Sequence, residues 1–180
     1  MKTKIKRSLL AGAVALACGN ALGAEYWLCA GTFDKNMPDG SVVKMWGYAD
    51  VSNTTTYPAN ACPASGDAAY TAPGPQLNVA DASLTVHLQN TLTEPTSLVI
   101  PGQTEADMVP VMIGNRVRSF THEVAPASSG DYIWNNLRSG SYAYQTGTHP
   151  AKQVQMGFMA RWLRMKPLTQ PILVLTMIHR

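Results

Sequence analysis

The stretch "QLNVADASLTVHLQN", residues 76 to 90, decides the class of fold. From residue 84 onward apolar and polar residues alternate, so that one side of an extended chain carries Leu84, Val86 and Leu88. The other side carries Thr85, His87 and Gln89. Successive side chains of a β-strand point to opposite faces. The alternation therefore predicts a strand with one face in a core and one face toward solvent.

Similar short segments recur along the chain, separated by Gly, Pro, Asn and Ser. They are "TSLVIP" (96–101), "RVRSFTHEV" (116–124), "DYIWNNL" (131–137) and "GSYAYQT" (140–146). Strands at this spacing indicate an antiparallel β-sandwich or a Greek-key barrel. "MPDG", residues 37–40, predicts a β-turn with Pro38 at its second position. Residues 54–76 are typical of a loop, held mainly by Cys62, and no internal repeat is present.

The amino-terminal stretch has the organisation of a secretory signal. Four basic residues precede a short apolar core, and small residues near Gly23 offer cleavage points. The apolar core is too short to span the roughly 30 Å of a bilayer. We expect residues 1–23 to be a cleaved signal peptide and the protein to be periplasmic or secreted. A lipoprotein, lipidated at Cys18, is the alternative, although the preceding leucine is one place too close to the cysteine.

The signal segment accounts for the basic charge of the whole chain. Of 14 Lys and Arg residues, four lie in the signal, which leaves ten against 11 acidic residues and a net charge of −1. Neither a basic patch for nucleic acid nor a polybasic segment for a membrane surface remains. We therefore expect no nucleic-acid partner and no membrane insertion. About 155 remaining residues suit one domain with a full core.

Two of the three cysteines, Cys29 and Cys62, lie outside the signal segment. Disulfides persist in exported proteins, so an even pair favours a bridge between them. The alternative is a thiolate metal site, which two cysteines without a nearby histidine support poorly.

Four histidines are the candidates for metal or acid–base chemistry. His149 is presented by a turn, because Gly147 and Thr148 allow a tight bend and Pro150 restricts the exit. His122 falls where a strand meets a Pro-limited turn, so it either hydrogen-bonds the backbone or binds a metal. His87 is predicted to be a surface or cross-strand residue, and His179 lies at a terminus and carries little information.

The candidate metal ligands are therefore His149 and His122, and they do not make a complete site. Copper and zinc centres need three or four donors, and the sequence has no His-x-His pair. A blue-copper centre needs a Cys thiolate near a histidine, which is also missing. The sequence contains no Gly-x-Ser-x-Gly elbow, no Gly-rich phosphate loop and no Cys-x-x-Cys motif. We name no catalytic residue and no residue that binds an organic cofactor.

The order of segments between residues 72 and 158 resembles the first plastocyanin-like (cupredoxin) domain of the multicopper oxidases. A Pro-Gly-Pro segment comes first, then strand residues ending at Asn90, then a Gly-x-Tyr-x-Tyr strand and a Gln-x-x-x-Gly segment. The matching residues are Pro73, Gly74, Pro75, Asn90, Gly140, Tyr142, Tyr144, Gln153 and Gly157. The resemblance implies an all-β, cupredoxin-like Greek-key β-sandwich, association with copper, and other cupredoxin domains as partners.

The departures from the family pattern concern the copper ligands themselves. Where the family has a His-Trp-His-Gly motif, this chain has "TSLVIPGQ", and where the family has His-Ser-His it has "QTGTHP". Only His149 remains of these imidazoles. A branch of secreted bacterial homologues looks similar at both places, which indicates a trait of a subfamily. Turnover by this chain alone is therefore not expected, and whether it is an enzyme stays open.

The last twenty residues differ in composition from the rest. Residues 161–180 contain four basic residues and no acidic one, and their apolar run, 172–178, would need a partner sheet. We expect a plastocyanin-like domain at 24–160 followed by an atypical basic and apolar tail, in a shortened or frame-shifted version of a longer oxidase. The alternative function is a non-catalytic secreted β-sandwich that binds a partner or scaffolds an assembly.

Overall fold

The computed structural model describes residues 23–52, 61–106 and 108–164. The predicted signal segment, apart from Gly23, lies outside these residues, as does the tail after Arg164. No helix in the described ranges is long and apolar enough to cross a membrane.

Nine strands and one short helix follow one another along the described residues. In chain order they are β1 (Ala24–Asn36), β2 (Val42–Asp50), β3 (Gly74–Val79), β4 (Leu84–Asn90), β5 (Val111–Ile113), β6 (Arg116–Ser119), β7 (Ser129–Trp134), β8 (Gly140–Gln145), α1 (Pro150–Met156) and β9 (Met159–Arg164).

The strands form two main sheets and a separate hairpin. The first sheet has the order β2-β1-β4-β7, the second β3-β9-β8, and β5 pairs only with β6. The predicted turn at residues 37–40 joins β1 to β2, with Gly40 N donating to Met37 O at 3.0 Å. Each main sheet also contains one parallel pair, β1 with β4 and β3 with β9. The expectation of purely antiparallel sheets is wrong in this detail, because the chain visits the opposite sheet before it returns.

The core lies between the two main sheets and contains side chains from both. The alternation in β4 is confirmed, because Leu84, Val86 and Leu88 are fully buried whereas Gln89 is exposed. Trp134 of β7 and Tyr144 of β8 are also fully buried. Burial of apolar area of this kind is the main favourable contribution to folding. The buried cluster consists of Leu28, Ala30, Tyr48, Leu77, Val79, Leu84, Val86, Leu88, Leu92, Leu98, Ile100, Val124, Tyr132, Trp134, Leu137, Tyr144, Phe158 and Ala160.

Two strand boundaries differ from those predicted. Residues 76–90 form two strands in different sheets, because the chain turns between Val79 and Leu84. The segment predicted from 116 onward is a strand only as far as Ser119. β9 pairs with β3 on one side and with β8 on the other, and this pairing continues to Arg164. The domain division predicted at residue 160 stays a prediction.

A second buried cluster lies on the outer side of β1 and β2. The predicted disulfide joins Cys29 of β1 to Cys62, with the two Cα atoms 5.6 Å apart. Phe33 and Tyr70 pack beside it, and the Tyr70 hydroxyl donates to Pro63 O at 2.9 Å. The disulfide therefore holds the loop after residue 60 against the first sheet.

His87 connects three strands on the outer face of the first sheet. Its Nδ1 lies 2.7 Å from Asp131 Oδ1 on β7, and its Nε2 lies 2.8 Å from Glu25 Oε1 on β1. The ring stacks on Trp27, with centroids 4.6 Å apart. Partial burial lowers the pKa of His87, but the hydrogen bonds to Glu25 and Asp131 outweigh burial, so this pKa lies above its usual 6.5. The predicted cross-strand position is confirmed.

Removal of the disulfide tests how strongly the covered loop stabilises the fold. The bridge closes a loop with a sequence separation of 33 residues, for which the chain-entropy relation gives about 3–4 kcal/mol. We expect the double variant Cys29→Ala/Cys62→Ala to lose about this much free energy of unfolding, measured by urea denaturation. Adding a reductant to the wild-type protein should lower its unfolding midpoint toward that of the variant. Equal unfolding midpoints for the variant and the oxidised protein would contradict the expectation.

The His87 cluster predicts a pH-dependent contribution to stability. Because the pKa of His87 is higher in the folded than in the unfolded chain, its contribution is full below about pH 6.5. The contribution is lost as the pH rises through the folded-state pKa. We expect the free energy of unfolding of the wild type to exceed that of His87→Gln by more at about pH 5.5 than at about pH 8.5. If the difference in free energy of unfolding between wild type and His87→Gln were constant, or larger at the higher pH, the carboxylates would not be stabilising the protonated form of His87.

Candidate metal site at the His149 end of the sandwich

His149 lies between β8 and the helix, at one end of the sandwich. Its backbone is left-handed, with φ 39° and ψ 58°, and Pro150 opens α1 directly after it. The backbone N of His149 donates to Arg118 O at 3.0 Å, and its carbonyl accepts from the N of Gln153 at 3.0 Å. The main chain is therefore held on both sides, while the residue itself is exposed. The prediction that a turn presents this imidazole to solvent is confirmed.

Gln153 fastens the helix to the strands beneath it. It is fully buried, and its Oε1 accepts from Thr96 Oγ1 at 3.0 Å and from Thr146 Oγ1 at 2.7 Å. Its Nε2 donates to Pro95 O at 2.8 Å. One side chain thus links α1, the end of β8 and the loop that precedes residue 97.

Three buried hydroxyl groups lie between these elements, and we call Ser97, Ser119 and Thr148 the hydroxyl cluster. The two serine Oγ atoms are 3.1 Å apart. Thr148 Oγ1 lies 2.9 Å from Ser97 Oγ and 3.1 Å from Ser119 Oγ. All three residues are at most 1% exposed. Because each hydroxyl both donates and accepts, the cluster satisfies itself without water.

Gly147 allows this close approach. Its backbone N donates to Ser97 Oγ at 3.0 Å. A Cβ at this position would lie 2.9 Å from Val99 Cγ1 and 3.0 Å from Ser97 Oγ. A side chain at Gly147 would therefore push the loop away from β8 and open the cluster.

His122, the second predicted ligand, is engaged elsewhere. Its ring stacks on Tyr132, with centroids 4.3 Å apart and an interplanar angle of 12°. Its Nδ1 faces buried Glu105, 3.6 Å from Oε1, and Thr121 Oγ1 donates to the other oxygen of that carboxylate at 2.8 Å. Burial, and then the charge of Glu105, raise the pKa of Tyr132 well above its usual value. The Tyr132 hydroxyl donates to the carbonyl of His122 at 3.0 Å.

The structure does not bring the two candidate ligands together. His149 lines two adjoining cavities of about 400 and 320 Å³, and His122 lines neither of them. Within residues 23–52, 61–106 and 108–164, no group of three or more His, Cys, Asp or Glu side chains is placed to hold a metal ion.

No protein-family model and no curated protein matches the chain, but solved structures do. A multi-copper oxidase from Pseudomonas thermotolerans is 22% identical, with a TM-score of 0.60, over 82% of this chain and 30% of that chain. The copper nitrite reductase from Nitrosomonas europaea is 14% identical, with a TM-score of 0.55, over 80% of this chain and 42% of that one. A laccase from Botrytis aclada is 20% identical, with a TM-score of 0.54, over 79% of this chain and 22% of that one.

The chain is a cupredoxin-like β-sandwich. The likeness to multicopper oxidases predicted from residues 72–158 is confirmed for the fold. The chain spans between 22% and 42% of the length of these three solved proteins, so their whole-protein activities belong to them.

Copper, which this fold implies, does not fit the residues at the end of the cupredoxin-like domain. Copper sites in proteins are built from imidazole, thiolate and thioether donors. Here the buried polar groups are the hydroxyl cluster and the amide of Gln153, which are hydrogen-bonded to one another or to neighbouring threonine and backbone groups and are not donors of this kind. His149 supplies one exposed imidazole beside this closed region, and one donor does not make a copper centre.

The sequence singled out His149 but not the groups that hold it. Gln153 and Gln155 are a polar pair two residues apart, and only the helix decides that Gln153 is fully buried whereas Gln155 is exposed. A signal existed in the spacing, because Gln153 lies four residues after His149, one helical turn away. No sequence spacing identifies Ser97 and Ser119 in this way, because their hydrogen-bond partners in the hydroxyl cluster come from distant parts of the chain.

Replacement of Gln153 tests whether this end is held by hydrogen bonds. Gln153→Met keeps the volume but leaves two threonine hydroxyls and the Pro95 carbonyl without this partner, each worth about 1–3 kcal/mol when buried. We expect a loss of at least about 2 kcal/mol in the free energy of unfolding, measured by urea denaturation. The matched control is Gln155→Met on the same helix, which should stay within about 0.5 kcal/mol of wild type. If both variants lost similar free energy of unfolding, the buried hydrogen bonds of Gln153 would not be what stabilises this end of the sandwich.

Proposed function

We propose that the chain is the amino-terminal plastocyanin-like domain of an exported copper-oxidase-type protein and serves there as a non-catalytic packing domain. The cupredoxin-like fold and the order of segments between residues 72 and 158 support the first part. Other cupredoxin domains are its partners in this proposal, and they carry the copper and the electron transfer.

One observation carries the non-catalytic role. The hydroxyl cluster occupies the end of the sandwich where the resemblance places paired imidazoles, with three hydroxyl groups at distances of 2.9 to 3.1 Å from one another. An open coordination site needs donor atoms that are not already engaged in hydrogen bonds. The three hydroxyl groups of the cluster are already hydrogen-bonded to one another. Their mutual hydrogen bonds stabilise the domain in the place of a metal.

Export is supported by two independent features. The first residues have the basic start, apolar core and small cleavage residues of a signal peptide. The disulfide between Cys29 and Cys62 is of a kind that persists outside the cytosol. We propose that the domain works in the periplasm or outside the cell.

A second candidate function is that His149 contributes one ligand to a copper site completed by another domain. The exposed imidazole on a main chain fixed by Arg118 and Gln153 favours it. A ligand shared across an interface needs this combination of an accessible ring and a rigid base.

Copper titration of the purified full chain tests the packing role. For a packing domain we expect no stoichiometric site for Cu(I) or Cu(II) in competition with a chelator. Any residual Cu(II) binding should be weak, with a dissociation constant of about 1 μM or above, as for scattered imidazoles. A single tight site would contradict the packing role.

The variants identify the imidazoles that hold any copper found in the same experiment. If a tight site exists and is lost in His149→Ala but kept in His87→Gln, His149 is a copper ligand within this chain and the packing role is wrong. If His122→Ala abolishes it as well, the two predicted ligands act together after a rearrangement of the chain. Unchanged weak binding in all three variants is the result expected for the packing domain.

A further inference from the structure

Positively charged and N–H-donating side chains surround one of the two cavities beside His149. This cavity, of about 320 Å³, is lined by Ile113, Arg116, Val117, Arg118 and His149, and we call it the arginine cavity. Among the described residues, no acidic side chain lines it. Its volume is within the range of small-molecule sites, which begins at about 300 Å³.

The hairpin of β5 and β6 places charged and apolar side chains on one face. Arg116 lies directly opposite Ile113 in the antiparallel register, and side chains directly opposite each other share a face. Arg118 is two residues further along β6, so it belongs to that face as well. Ile113 is 57% exposed. A ligand in the arginine cavity therefore meets positive charge and apolar surface together.

The guanidinium of Arg118 is held in place by the protein itself. Its Nε donates to Glu123 Oε1 at 3.0 Å, and its Nη2 donates to the other oxygen of the same carboxylate. The side chain of Glu123 is only 7% exposed. Because a guanidinium has five N–H donors in a rigid plane, this pair offsets the charge of Arg118 and still leaves donors for a ligand. A group fixed in advance loses less freedom on binding.

Arg116 and His149 contribute the donors that no other described residue engages. Neither the guanidinium of Arg116 nor the imidazole of His149 makes an ion pair or hydrogen bond within the described part of the chain. The main chain of His149 is fixed by its hydrogen bonds to Arg118 and Gln153, and an imidazole keeps at least one N–H donor in either protonation state. The arginine cavity thus has one guanidinium charge in excess, which suits a monoanion.

The adjoining cavity of about 400 Å³ does not share this excess charge. Lys152 and Glu94 both line it, and Lys152 Nζ donates to the two carboxylate oxygens of Glu94 at 2.5 and 2.7 Å. The charges of this pair cancel, and Glu94 gives the cavity an acidic wall that disfavours an anion. The structure therefore favours the Arg116 side of His149 as the place for a negatively charged ligand.

We propose that the arginine cavity binds a small carboxylate with an apolar body, of the class of aromatic acids. The carboxylate accepts from Arg116, Arg118 and His149, since the planar fork of a guanidinium matches the two oxygens of a carboxylate. The apolar body packs on Ile113 and Val117, which line the same cavity. The inference goes beyond the proposed function and does not depend on copper.

Titration of the full chain with benzoate, in the presence of a metal chelator, tests the proposal. Two-dimensional amide NMR follows the binding and locates it. We expect a dissociation constant of about 1 mM, within the bounds for a ligand of this size, with shifts centred on residues 113–118 and His149. Acetate, which lacks the apolar body, and benzamide, which lacks the charge, should each bind at least about fivefold more weakly.

Substitution of Arg116 tests the role of the excess charge. Arg116→Gln keeps N–H donors but removes the charge, and it should weaken benzoate binding at least about fivefold, because a charged hydrogen bond is lost. The matched control is Arg138→Gln, at an exposed arginine between β7 and β8 that does not line the cavity. The control should bind benzoate as the wild type does. Far-UV circular dichroism checks that both variants are folded.

Several results would overturn the proposal. One is equal benzoate affinity in Arg116→Gln and Arg138→Gln, and another is equal affinity of the wild type for benzoate and benzamide. Absence of shifts up to about 20 mM benzoate, or shifts centred elsewhere, would do the same. If inorganic phosphate bound as tightly as benzoate, the cavity would be an unselective anion site and the assignment to an apolar carboxylate would be wrong.

Discussion

The arrangement of one end of this domain depends on buried hydroxyl groups whose partners, among the described residues, are each other and the nearby backbone. Ser97, Ser119 and Thr148 come from three separate parts of the chain and are at most 1% exposed. A buried hydroxyl that lacks a partner costs about 1–3 kcal/mol, so the three segments keep their positions together. The loop at 96–100, the end of β6 and the end of β8 are fixed by this condition. His149 and the hairpin of β5 and β6 are attached to the sandwich through the same segments.

The buried hydroxyl groups also show that a cupredoxin-like fold does not by itself specify which side chains lie at the end of the sandwich. The sandwich is held by its two-sheet core, in which Trp134 and Tyr144 are fully buried. The hydroxyl cluster is not part of this apolar core. Function belongs to the site rather than to the fold. The likeness to multicopper oxidases accordingly describes the architecture of this chain, and the side chains at His149 decide what it does.

The hairpin of β5 and β6 forms the surface next to this end of the sandwich. It lies beside the hydroxyl cluster; β6 is attached to the sandwich, and among the described strands β5 pairs only with β6. A two-stranded hairpin is marginally stable by itself, so its attachment through Gly147 and His149 matters to its shape. The backbone hydrogen bonds at Gly147 and His149 thus hold the hairpin against this end of the sandwich.

Local pattern determined much of the fold. The alternation at residues 84–88 predicted the buried face of β4, Pro38 and Gly40 predicted the turn after β1, and the cysteine count predicted the disulfide to Cys62. The order of segments predicted the cupredoxin-like class, and the turn residues beside His149 predicted its exposed position. Each of these features depends on residues close together in the chain or on a pairing with few alternatives.

Tertiary structure decided the rest. Nothing local shows that β9 runs through Arg161 between β3 and β8, that the strands include parallel pairs, or that Gln153 is buried while Gln155 is exposed. Burial of a polar side chain depends on which distant hydroxyls and carbonyls reach it, and pairing of a strand depends on which neighbours the core brings alongside. Periodicity states which face of a segment is apolar, but only packing in three dimensions decides what that face and its polar neighbours meet.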